Sequence, residues 1–83
     1  QKGEYHAALE RYKVAGALAP TDPRPLLNRG QIYALQKRHE RAEAEYTAAL
    51  KLDPANPTAF AQRALARLRA ATGPKGGGKP ALA

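Results

Sequence analysis

The sequence predicts an all-α chain of four helices, arranged as antiparallel helix-turn-helix repeats and stacked into a short α-solenoid. Three observations predict it. First, the chain repeats itself at a spacing of 34 residues: Ala8 with Ala42, Tyr12 with Tyr46, Ala15 with Ala49, Leu18 with Leu52, Pro20 with Pro54 and Pro23 with Pro57. Leu26 maps in the same way onto Phe60, Asn28 onto Gln62 and Arg29 onto Arg63. A period of this size marks stacked repeat units. Second, the apolar residues between the prolines recur in steps of three and four, the signature of a helical stripe. Third, the hydrophobic content is carried mainly by Ala and Leu among Arg, Glu and Lys, a composition that suits helices.

The first helix spans Glu4 to Leu18, with Tyr5, Ala8, Leu9, Tyr12, Ala15 and Leu18 on its stripe. Pro20 ends it, and Ala19 to Pro23 form a turn. Asp22 is placed to cap the second helix, with Pro23 in its first turn. That helix runs to about Gln36, with Leu26, Gly30 and Tyr33 on one face. Lys37 and Arg38 turn the chain into a third helix from about Glu40 to Leu52, carrying Ala42, Tyr46, Ala49 and Leu52. Asp53 to Pro57 repeat the earlier turn, with Asn56 as the cap. The fourth helix starts near Thr58 and runs through Phe60, Ala64 and Leu68 to about Ala71. Residues 72–83 hold too much Gly and Pro for regular structure and read as a disordered tail or linker.

These residues resemble a tetratricopeptide repeat. The complete unit, Pro23 to Asn56, shows Leu26, Gly30, Tyr33, Ala42, Tyr46, Ala49 and Pro54 at that family's spacing, with Arg29 standing where Leu is usual. The resemblance implies a right-handed solenoid. In this reading Gly30 and Ala42 let the two helices of a unit approach closely, while Tyr33 and Tyr46 fill the space beside them. Residues 1–20 align with the second helix of a truncated repeat, 21–56 with one complete repeat and its leading turn, and 57–71 with the first helix of a last repeat or a capping helix. The N-terminal edge is therefore expected to be cut from a longer array. Arg67 replaces the aromatic at the position of Tyr33, which predicts a terminal helix with a wet outer face.

Eighty-three residues allow one small domain with a thin core. The chain has no Cys, which excludes disulfides, thiolate metal sites and Cys nucleophiles. No apolar run approaches the ~18 residues that a spanning helix needs. No signal-peptide pattern opens the chain. Neither point fixes a compartment.

By the same resemblance, partners lie along a concave groove lined by first helices. The groove positions are Arg24, Leu27, Asn28, Gln31, Ala34 and Leu35, then Thr58, Ala61, Gln62, Leu65 and Arg69. Arg24, Leu27, Gln31 and Leu35 step by three and four along a face other than that of Leu26, Gly30 and Tyr33. The mixture of apolar area, amides and charge suits a peptide. Asn28 matches one Asn of the clamp with which part of the family holds acidic chaperone tails. Thr58 and Gln62 stand where that clamp needs bases, which argues against it.

The net charge of +7 is uneven: Arg63, Arg67, Arg69, Lys75 and Lys79 are unopposed from Pro54 onward. This suggests an alternative, an adaptor for nucleic acid or an acidic membrane surface. No aromatic follows Phe60 to stack on bases, which lowers the nucleic-acid reading. Gly73 to Lys79 fits the opening of a phosphate-binding loop, but Pro80 replaces the Ser or Thr that holds magnesium. His6 and His39 have no metal-ligand spacing; His39 and Glu43, one turn apart, could pair. No set of nucleophile, base and orienting group is present. The expectation is a non-catalytic scaffold without cofactor or metal that binds a protein or peptide. Self-association through the exposed N-terminal edge is the alternative to a marginally stable monomer.

Overall fold

The computed structural model describes residues 2–72, and among them every regular element is helical. Helix α1 spans Lys2–Leu18, α2 Arg24–Leu35, α3 His39–Leu52 and α4 Pro57–Thr72. Neighbouring helices pack in chain order: α1 on α2, α2 on α3, and α3 on α4. The expected disordered tail and the phosphate-loop-like segment lie beyond Thr72, outside the described residues.

The turns are built as the sequence predicts, with local differences. Asp22 Oδ1 accepts the Arg24 N–H at 3.0 Å. Pro23 takes the boundary position and makes no side-chain cap bond. Asp22 thus satisfies a donor that the helix start leaves free. Asn56 does the same for α4, with Oδ1 accepting the Ala59 N–H at 2.9 Å. Its Nδ2 donates to Asp53 Oδ2 at 3.2 Å, which ties the cap to the preceding turn. The α2–α3 turn closes with the Arg38 N–H on the Tyr33 carbonyl at 2.8 Å and the Lys37 N–H on that of Ala34 at 3.0 Å. This is a Schellman arrangement. It places Lys37 at φ 63°, a conformation that favours glycine.

The buried core is Leu27, Ala42, Tyr46, Ala49, Leu50, Ala59 and Ala66, with Leu26, Tyr33 and Ala34 packed against it. Most of these positions belong to the complete repeat, because only α2 and α3 each have helices on two sides. The close approach of α2 and α3 centres on Gly30. A Cβ built there would lie 2.8 Å from Cζ of Tyr46 and nearer still to Cε1. Ala42 was the expected partner of Gly30; the nearest atoms to residue 30 are those of the Tyr46 ring. Ala42 is completely buried in the same core.

Helix α4 spans about the expected residues. Ala59 and Ala66 are its buried residues. Phe60 and Leu68, apolar residues along this helix, are 49% and 58% exposed. Arg67, expected to keep the outer face wet, turns back to α3 and donates from Nε to Glu43 Oε2 at 2.6 Å. The Arg67 side chain stays 56% exposed in this pair, so the charge still borders the solvent. Glu43 is engaged there, so the His39–Glu43 pair does not form, and His39 Nδ1 is buried without a partner.

Gly30→Ala should force the Tyr46 ring or the helix to shift and cost about 1–3 kcal/mol, as should Ala42→Leu. Thermal or urea melts monitored by circular dichroism check both. Lys37→Gly should relieve the left-handed backbone and raise stability by about 0.5–1 kcal/mol in the same melts.

Candidate functional site

The side chains expected to form a groove fall into two rows. On α2 they are Arg24, Asn28, Gln31 and Leu35; on α4 they are Thr58, Gln62, Leu65 and Arg69. Each position of one row is 34 residues from its counterpart in the other. Both helices rest on α3. Gln31, Leu35, Thr58, Leu65 and Arg69 are exposed, whereas Asn28 and Gln62 are half-buried. Leu35 leaves 61% of its surface open and Leu65 40%. Neither side chain is used by the core.

Leu27 does not belong to the exposed row. It is 8% exposed and sits in the core with Ala42, Tyr46 and Ala49. The helical spacing placed it next to Asn28 and Gln31, but it lies at the boundary of that face and α3 packing covers it. Leu27 is therefore a core residue and not part of the groove.

Arg24 is exposed but engaged. Its Nη2 donates to Asp22 Oδ2 at 2.7 Å and its Nε to Oδ1 at 3.0 Å, a two-point clasp. These hydrogen bonds hold the Asp22 carboxyl at about 2, well below its ordinary value. Arg24 thus anchors the start of α2 as well as bordering the row.

The basic residues of α4 are also partly committed. Arg67 pairs with Glu43, and the Arg63 guanidinium lies 5.8 Å above the Phe60 ring. Only Arg69 of the three has neither kind of partner among the described residues. Lys75 and Lys79 lie outside them. On α2, Arg29 Nη2 reaches Glu45 Oε2 at 3.1 Å in a mostly buried pair. Burial pushes the Glu45 carboxyl up, outweighing the pull of Arg29 in the other direction. The Arg at the usual Leu position is thus partnered across the α2–α3 contact.

An open recess lined by Tyr5, His6, Gln36 and Arg38 lies between the start of α1 and the end of α2. The Gln36 Oε1 atom is buried there without a partner. Sequence reasoning did not single it out, because no motif joins residues that meet only through the α1–α2 packing. Among the described residues no group of His, Cys, Asp or Glu could hold a metal ion. Nor is any described helix long and apolar enough to cross a membrane.

Stacked antiparallel helices with a repeated side-chain row define a helical-repeat scaffold. Comparison with known families makes the class specific: residues 23–56 match the tetratricopeptide repeat, and residues 1–37 match a TPR repeat. The chain belongs to the tetratricopeptide-repeat family. The first match coincides with the complete unit from Pro23 to Asn56. No curated protein and no solved structure matches the chain. Repeats of this family generally mediate protein–protein interaction and are typically non-catalytic.

The burial difference within the row is directly measurable. Leu27→Ala should cost about 2–5 kcal/mol, as for other buried Leu side chains. Gln31→Ala, one turn away and exposed, should stay within about 0.5 kcal/mol. Equal melting temperatures for the two variants would contradict the burial of Leu27.

Proposed function

We propose that this chain is a non-catalytic scaffold that binds a peptide or protein segment across the two first-helix rows. The observation that carries the reading is the pairing of exposed Leu35 and Leu65 with the amides of Asn28, Gln31 and Gln62. The apolar side chains offer area to the side chains of a bound segment. The amides can donate to and accept from its backbone. Both rows are mounted on α3, so little ordering entropy is lost on binding. Leu27 then acts beneath the row, fixing α2 against the core.

The alternative is capture of an anionic partner, nucleic acid or an acidic membrane surface, by the C-terminal bases. The pairing of Arg67 with Glu43 and the stacking of Arg63 on Phe60 weigh against it. Each of those guanidinium groups would have to leave a partner to meet a phosphate.

Selection of ligands from a displayed peptide library on the 83-residue chain tests the reading. Gln31→Glu with Leu35→Glu should abolish binding of the selected peptides while the circular dichroism spectrum is retained. Replacing Arg63, Arg67, Lys75 and Lys79 by Gln should leave binding nearly unchanged, and added salt should weaken it little. Loss of binding only in the second variant, with steep salt dependence, would overturn the groove reading in favour of the anionic one.

A further inference from the structure

The row on α4 carries the one base of that helix that is free among the described residues. Arg63 stacks on Phe60 and Arg67 pairs with Glu43. Arg69 is exposed and has neither kind of partner. Neither groove helix contains Asp or Glu. Asp22, Glu43, Glu45 and Asp53 are bonded elsewhere, to Arg24, Arg67, Arg29 and Asn56 respectively. We infer that the groove selects an extended peptide segment with an internal Asp or Glu two residues from a large apolar residue. The acid meets Arg69 and the apolar side chain meets Leu65. This inference rests on the groove reading above and gives that groove a sequence preference.

The amides of the rows favour an extended segment over a helical one. Asn28, Gln31 and Gln62 take part in none of the side-chain hydrogen bonds among the described residues. A helix satisfies its own backbone groups, whereas an extended segment offers free N–H and C=O groups to such amides. Along an extended segment, side chains two residues apart point the same way, about 6.6 Å from one another. Side chains four residues apart on a helix are spaced by about 5–6 Å. Leu65 and Arg69 have that separation on α4, and both are exposed. An acid directly beside the apolar residue would point away from the groove.

Charge sets the class of anion. One guanidinium matches one carboxylate, and the two can bond at two points. A phosphate dianion would keep excess negative charge there, because the neighbouring base of the α2 row, Arg24, is already clasped by Asp22. The 83 residues do not themselves contain the required segment. Their Glu residues all lie within α1 and α3, and Asp22 and Asp53 sit in the turns before α2 and α4. Residues 73–83 include no acid.

Random segments displayed within a carrier loop, with no free end, would be selected on the 83-residue chain. Enriched sequences should place Asp or Glu two residues from Leu, Ile, Phe or Tyr. A selected segment would then be synthesised with both ends blocked, beside versions with Gln or Lys in place of the acid, and measured by fluorescence anisotropy. The wild-type chain should prefer the acidic version to the Gln version by about two- to fivefold, as one exposed ion pair allows. Arg69→Gln should remove that preference, and Arg69→Glu should reverse it in favour of the Lys version. Moving the acid next to the apolar residue should lose the same factor. The inference is overturned if the selected segments show no enriched acid, if the preference survives Arg69→Gln, or if blocking the C-terminus abolishes binding. In those cases the groove reading still stands, provided that Gln31→Glu with Leu35→Glu abolishes binding. Selection of no segment, or binding that survives that double substitution, overturns the groove reading and this inference with it.

Discussion

The contact between Gly30 and the Tyr46 ring is the constraint on which the rest of the structure depends. It sets how closely α2 approaches α3, because any side chain at residue 30 would occupy the space of the ring. Tyr46 is almost completely buried, so the ring has nowhere to retreat. Its hydroxyl is buried without a hydrogen-bond partner. Burying that group costs free energy; the packing of the ring must outweigh it. Once α2 and α3 are locked, Ala42 and Ala49 fill the remaining narrow gaps, and α3 presents its other side to Ala59 and Ala66 of α4. A chain of this size cannot bury a large core. Small residues at the crossings are how it obtains close packing from little volume.

Electrostatics follow the same geometry. The acidic side chains of α3 reach to both neighbours, Glu45 to Arg29 on α2 and Glu43 to Arg67 on α4. The pair with Glu45 is the drier one, and burial raises the carboxyl despite the adjacent guanidinium. Such a pair contributes little net stability, since desolvation offsets much of the attraction. Its consequence is orientation: an Arg at a position where the family places Leu is accepted because a carboxylate stands opposite. Two of the bases that look unopposed in the sequence are engaged in the fold, Arg67 with Glu43 and Arg63 over Phe60.

Much of this was legible in the residues, and the parts that were not share one cause. The helices, both Asx caps and the repeat phase can be read from local spacing, because capping and periodicity act within a few residues. Packing partners are not local. A stripe of Phe60, Ala64 and Leu68 is visible in the sequence, but periodicity does not say whether a helix covers it. Here α3 meets α4 through Ala59 and Ala66, residues too small to stand out in a hydrophobic pattern. Leu27 fails for the complementary reason. It lies at the edge of the row that includes Gln31, and only the position of α3 decides that it is buried. Arg67 is a solvent-facing charge, as its place in the pattern suggests, but its partner Glu43, 24 residues away, could not be read from local spacing.

The repeat also explains why similar helices can have different tasks. Helices α2 and α4 occupy equivalent places relative to the period, yet they differ at the residues that matter for a neighbour. Gly30 becomes Ala64, Tyr33 becomes Arg67, and Leu27 becomes Ala61. The first change removes room for an aromatic ring, the second exchanges an aromatic for a guanidinium, and the third shrinks an apolar contact. Together they make the α4 face a poorer fit than α2 for an aromatic ring such as that of Tyr46. Helix α1 changes in a different sense, keeping the aromatic as Tyr12 but substituting Arg11 for the acid at Glu45. Specificity between surfaces built on one template arises from such mismatches as much as from attraction. The 34-residue period sets where neighbours can pack, and the departures from it determine which neighbours fit.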